Sequence, residues 1–187
     1  LLVESGLGDQ LRDRGVRFVD LNRDDVLKCS VRQGYTGLDH LWLPRTVLSS
    51  DLIVSMPKVK THHWAGATLS MKNHFGMLPG LVYGWPRNIF HLRNLHAALM
   101  DFLHTVRADY AIVDGVVGLE GDGPVRGTPI DVGVIVMGSN LPAVDATAAR
   151  VMGIRPEGID YLRRAAGVFG PIGEASIEQR GASIAAV

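Results

Sequence analysis

Asp51-Leu-Ile-Val-Ser-Met-Pro-Lys-Val-Lys-Thr-His62 is the stretch that decides the fold. Its first six residues make an apolar run closed by Pro57, the pattern of a strand buried on both faces of a parallel sheet. The two lysines and the histidine follow at once. In open parallel α/β sheets ligands bind beyond the carboxyl ends of the strands, so this is where a site is expected. Towards the N-terminus, Leu1–Arg14 reads as a helix stopped by Gly15 and Val16–Leu21 as a short strand. Residues 22–40 are polar and turn-rich, suiting a hairpin or loops, and Pro44 opens a helical turn through Ser49. Towards the C-terminus, Ala65–Phe75 reads as a helix ended by Gly76, followed by a Gly/Pro loop to Arg87. Asn88 is placed to cap a helix over Ile89–Val106, whose Leu92, Leu95, Leu99, Phe102 and Val106 form one apolar stripe. Tyr110–Val113 and Ile130–Met137 read as strands, with a Gly-rich loop over Gly118–Pro129 between them. Pro142–Met152 and Pro156–Val168 read as helices, and Ser176–Gln179 as a small terminal strand. Strands alternating with helices predict a layered α/β fold with a largely parallel or mixed sheet flanked by helices. The expected organisation is a single α/β domain over residues 1–187, without the β/α units that would precede Leu1.

Composition narrows the function classes. The 187 residues are 47% hydrophobic and 20% charged, an ordinary globular mixture. Lys+Arg and Asp+Glu are 19 each, so the net charge is zero. That speaks against nucleic acid or a membrane surface as partner. No window of about 18 apolar residues is present, so no transmembrane span is expected. A single cysteine, Cys29, excludes a disulfide framework, a multi-cysteine zinc site and an iron–sulfur cluster within this chain. A reducing, cytoplasmic location is the expectation.

The distribution of charge says more than its sum. Leu52–Met100 contains no Asp or Glu but holds Lys58, Lys60, Lys72, Arg87, Arg93 and five histidines. Ala108–Ala146 reverses the balance, with Asp109, Asp114, Glu120, Asp122, Asp131 and Asp145 against Arg126 alone. A cationic and an anionic half suit a pocket between them, in which cations hold a ligand carboxylate or phosphate and carboxylates act as acid and base. Ordinary salt bridging between the halves is the competing reading. On a helix, Thr68 and Lys72 would share one face, with Asn73 and His74 at its end. The histidines lack metal spacing: His62 and His63 are adjacent, and His91 and His96 stand about 140° apart around a helix. No metal site is therefore assigned. The loop Gly118-Leu-Glu-Gly-Asp-Gly-Pro124 matches neither a P-loop nor a dinucleotide fingerprint, because it leads into a strand and carries two acids.

Taken together, Asp51–His62, Thr68-Leu-Ser-Met-Lys-Asn-His-Phe-Gly76, Asp114-Gly115, Glu120-Gly-Asp-Gly-Pro124, Gly127 and Ala143-Val-Asp-Ala146 leading to Met152-Gly153 resemble the domain-of-unknown-function family 362, DUF362. The resemblance implies an α/β protein, in many members joined to a ferredoxin-like iron–sulfur segment whose cluster cysteines this chain lacks. It implies no reaction and leaves the cofactor unknown. Two functions are expected from residues and resemblance together. One is an enzyme on a small anionic metabolite, redox-linked or not: Lys58, Lys60, Thr68, Lys72, Asn73 and Asp145 would bind substrate, and His62, His91, Asp114 and Glu120 would carry the chemistry. The other is a non-catalytic binding or scaffold domain that docks a ferredoxin-like redox partner. The first predicts that Lys58, Lys60, His62, Lys72 and Asn73 line one concavity with Glu120 or Asp114.

Overall fold

The structure is a computed structural model and describes residues 4–84, 89–90 and 94–187. The N-terminal part contributes α1 (Leu7–Asp13), β1 (Val26–Ser30), β2 (His40–Pro44) and the single turn α2 (Arg45–Leu48). β1 and β2 form a two-stranded antiparallel sheet of their own. The run that decides the fold then enters as β3 (Val54–Ser55), breaks at Met56-Pro57, and resumes as β4 (Lys58–His62). Proline has no N–H to give to a ladder, which accounts for the break. A tight turn leads to β5 (Gly66–Thr68), then α3 (Ser70–Asn73), a 3-10 turn over His74–Met77 and α4 (Gly80–Tyr83). After α5 (Leu95–Thr105) come the two long strands β6 (Tyr110–Glu120) and β7 (Thr128–Gly138), then α6 (Leu141–Val151) and α7 (Asp160–Ala165).

β6 is the centre of the main sheet. β3 and β4 run parallel to it along one edge, with Val54 opposite Tyr110 and Lys58 opposite Asp114. β7 runs antiparallel along the other edge, and β5 is antiparallel to β4. The sheet is therefore mixed, and the architecture is α/β. Ser55, Val59, Ala111 and Val113 point to one face and are buried. Against that face pack α3 and α6, backed by α5 and α7, and Leu99, Phe102, Val144, Tyr161 and Leu162 fill the space between. No helix among the described residues is long and apolar enough to cross a membrane.

Several elements differ from the sequence expectation. Asp51–Met56 is not buried on both faces: Val54 and Met56 are exposed. Val16–Leu21 makes no ladder, and Val16 and Phe18 lie at the surface. Ala65–Phe75 is not one helix. Gly66, at φ +80°, turns the chain back to pair with β4, and the helix starts only at Ser70. Thr68 thus sits on a strand, and its helical spacing to Lys72 does not apply. The long α5 is capped by Asn94, whose φ of +82° stops any helix entering from before it; Asn88 lies outside the described residues. The loop expected over Gly118–Pro129 shrinks because β6 runs on to Glu120 and β7 begins at Thr128, which makes a long hairpin. Pro156–Val168 splits into a 3-10 turn, Pro156–Gly158, and α7. Ser176–Gln179 forms no strand; Glu174–Ser176 is a 3-10 turn.

Candidate functional site

The predicted site residues fall into three places. On the helix-free face of the sheet, Lys58 Nζ donates to Asp114 Oδ2 at 2.6 Å, and Asp114 Oδ1 also accepts from Val116 N at 3.0 Å. The Lys58 hydrogen bond holds the Asp114 carboxyl below its usual range, helped by the Val116 amide and opposed by slight burial. These two residues answer each other's charge and do not face Lys72, which lies within the helix layer.

Inside the helix layer, the start of α3 is tied down by buried polar groups. Asp145, on α6, is fully buried and accepts from Ser70 N at 2.8 Å, Ser70 Oγ at 2.5 Å and Met71 N at 3.0 Å. Burial pushes its carboxyl up to about 7, against the pull of those three donors. Asp145 therefore caps α3 and lies in the core rather than in a cavity with the lysines. Ser55 Oγ donates to Ser70 O at 2.9 Å and accepts from Asn73 Nδ2 at 3.1 Å, so Asn73, at the surface, turns its amide to β3. His74 is fully buried, donating from Nδ1 to Ser70 O at 2.9 Å and accepting at Nε2 from Ala108 N at 2.9 Å. Both bonds need the neutral ring, and burial lowers its pKa to about 4.

The third place is the carboxyl end of β4. His62 is buried there, and its Nδ1 accepts from Trp64 N at 3.1 Å and Ala65 N at 3.2 Å, closing the turn into β5. The β6–β7 hairpin tip leans on the same end: Thr61 Oγ1 donates to Gly121 O at 2.9 Å, and His63 Nδ1 bonds Gly123 O at 2.8 Å. A Cβ on Gly123 would stand 2.1 Å from Thr61 O, so only glycine permits this approach. Glu120 is exposed at the end of β6, beside a cleft of about 230 Å³ that Thr61, Asp131 and Met152 also line. His91 lies outside the described residues.

From this end a cluster extends to the helices. Lys60 and Thr68 are directly opposed across β4 and β5, which puts their side chains on one face. Thr68 Oγ1 is buried and has no hydrogen-bond partner among the described residues. The start of α7 packs on β5, with Ile159 beside Gly66 and Tyr161 Oη donating to Ala67 O at 3.4 Å. Between them Asp160 faces His96 of α5, with Nδ1 and Oδ2 3.8 Å apart, too long for a hydrogen bond. His96 Nδ1 is likewise buried without a hydrogen bond. Asp160 is gripped by Arg163 and by Arg164, whose Nε lies at 2.8 Å; burial would raise its pKa, but the two guanidiniums prevail and lower it. His96 is lowered first by burial, with Asp160 opposing and Arg164, Arg163 and Lys72 adding to the fall. Lys72 is only 8% exposed, with Nζ 4.2 Å from the centre of the Phe75 ring. Lys72, His96 and Asp160 thus form one neighbourhood, while Lys60 and Thr68 face each other across β4 and β5.

His96 and Asp160 are the members that sequence reasoning passed over. Asp160, Arg163 and Arg164 have the three- and four-residue spacing of a helical ion-pair cluster, which is readable. Its meeting with a histidine 64 positions earlier is not. Among the described residues no three His, Cys, Asp or Glu side chains gather as a metal site would need.

Comparison with known proteins adds a family. The model of a domain of unknown function, DUF362, matches residues 1–150. A thylakoid-associated protein of Synechocystis is 27% identical over 132 residues, covering 67% of this chain and 40% of that protein. The chain therefore spans less than half the length of this relative. No solved structure matches.

Proposed function

The chain belongs to the DUF362 family, and from that premise we propose that it binds a small anionic ligand between β5, α3, α5 and α7, using Lys60, Thr68, Lys72 and His96. One observation carries this reading. Thr68 Oγ1 and His96 Nδ1 are buried polar atoms without a hydrogen-bond partner among the described residues, with Lys60 opposite Thr68 and Lys72 near enough to His96 to help lower its pKa. A buried polar atom left unsatisfied costs about 1–3 kcal/mol, and a ligand oxygen accepting from both would remove that cost. Charge-assisted bonds from ammonium groups favour a carboxylate or phosphate in that role. His96, kept neutral by burial and by the cations around it, would donate from Nδ1 and could exchange that proton with the ligand. The acidic loop at Glu120 has no part in this binding.

A thermal-denaturation series with inorganic phosphate, sulfate and citrate tests the reading. The Tm should climb with the logarithm of anion concentration above Kd. Thr68→Val removes the orphan hydroxyl while keeping its shape. The ligand-free variant should be as stable as the parent or slightly more so, with a smaller anion-induced rise. An anion response that is absent, or identical in Thr68→Val and the parent, would sink the proposal.

A further inference from the structure

The end of α5 and the start of α6 border a cavity of about 470 Å³, lined by His104, Arg107, Asp109, Ser139, Leu141 and Phe169 but by none of Lys60, Thr68, Lys72 and His96. α5 stops at Thr105 because Val106 is extended, and Arg107 leaves the helix to lie over the Phe169 ring, its guanidinium carbon 5.0 Å from the ring centre. His104, in the last turn of α5, packs on the same ring at 4.6 Å between centroids and on Tyr35 at 5.9 Å. Three donors in this lining lack an acceptor among the described residues. His104 Nε2 is buried without a hydrogen bond. The Arg107 guanidinium touches Phe169 and has no carboxylate or carbonyl. At the start of α6, Asn140 Oδ1 takes Ala143 N at 3.0 Å and Pro142 has no N–H, which leaves the N–H of the buried Leu141 open.

We propose that this cavity binds a small oxyanion, the phosphate or carboxylate group of a ligand, on the Arg107 guanidinium, His104 Nε2–H and Leu141 N–H. The start of α6 supplies only one of these donors; the arginine and the histidine on its far wall single the place out. A guanidinium offers a planar fork to two oxygens at once, and stacking on Phe169 holds that fork in place before the ligand arrives. A buried ring nitrogen without an acceptor is costly, and a ligand oxygen removes the cost. Burial holds His104 below the usual histidine range, with Asp101 opposing and Arg107 adding to the fall, so the neutral ring has one N–H to give. Asp109 is the one carboxylate of the lining, and its Oδ2 already accepts from Ile53 N at 2.9 Å. Its charge opposes the anion and sets a limit on affinity.

Nitrogen-15 NMR of the chain, titrated with inorganic phosphate and separately with acetate at constant ionic strength, is the test. The Leu141 amide and the His104 ring should shift together and saturate with one Kd for at least one of the two anions, and which of them saturates identifies the oxyanion. Thr68→Val should leave that Kd unchanged, because this cavity uses none of the residues around Thr68. Arg107→Gln, a change at an exposed position, should raise it about tenfold or more. Asp109→Asn keeps an oxygen for Ile53 N and should lower it. Resonances of Leu141 and His104 that neither anion moves, or that move without saturating, overturn the proposal. So does a Kd that Arg107→Gln leaves unchanged or Asp109→Asn raises, or a response lost in Thr68→Val, which would place the anion elsewhere.

Discussion

Asp145 and His74 share the anchoring of α3 through Ser70, and both are buried with displaced pKa values of opposite consequence. Asp145 is raised from 3.8 to about 7, so the folded state takes up its proton first as pH falls. Its contribution is full below about 3.8 and is lost as pH rises towards 7. His74 is lowered from 6.5 to about 4, so the unfolded chain takes up its proton first. Its contribution is full above about 6.5 and is lost as pH falls through 4. Each shift corresponds to something on the order of 3–4 kcal/mol. Across pH 4–7 the two trends oppose one another, and the parent protein should show little net change from this pair. Asp145→Asn unmasks the histidine: urea unfolding should show the variant losing stability towards pH 4 far more steeply than the parent. Parallel profiles would show that Asp145 does not titrate in this range. At this scale the sequence was legible for residue type and not for task. Asp145, Lys72 and His62 stand out in the chain as they do in the structure. Yet Asp145 caps a helix 75 residues away, and His62 Nδ1 closes a turn. Such tasks depend on which backbone amides arrive beside a side chain, and spacing along the chain does not encode that.

At the scale of elements, α5 depends on a cap of an unusual kind. Asn94 combines φ +82° with a side chain that accepts from His96 N at 3.1 Å and Ala97 N at 3.2 Å. Asn94→Ala removes the cap and puts a β-carbon where L-residues are strained, for a loss of about 1–2 kcal/mol. Asn94→Gly keeps the backbone freedom and loses only the cap, so it should cost the smaller amount. Chemical denaturation of both variants decides the point: equal losses would mean that the backbone angle carries no strain. Because His96 lies in the first turn, either variant should also weaken the anion response. Elements held together by local periodicity read well from sequence. α6 runs from Leu141 to Val151, one residue before the expected start and one before the expected end. Elements defined by distant pairing did not. β5 was read as the start of a helix because Ala67, Leu69 and Met71 suit either element, and only the β4 ladder selects the strand. β6 and β7 extend past their apolar runs because each supplies the other's hydrogen bonds across Gly118 and Pro129.

For the whole molecule, the division into a basic and an acidic half is real, but among the described residues it does not gather Lys58, Lys72, Asp114 and Asp145 in one pocket. Lys58 meets Asp114 on the open face, while Asp145 turns its oxygens to backbone amides. Lys72 lies near His96, and Lys60 stands opposite Thr68. An exposed ion pair contributes only about 0–1 kcal/mol to folding. The Lys58–Asp114 pair, about half exposed, therefore contributes little to folding. In the double variant Lys58→Met with Asp114→Leu, which replaces both by apolar residues of similar length, the free energy of chemical unfolding should shift by less than about 1 kcal/mol. A larger loss would show that the pair helps to hold β4 against β6, where Lys58 stands opposite Asp114.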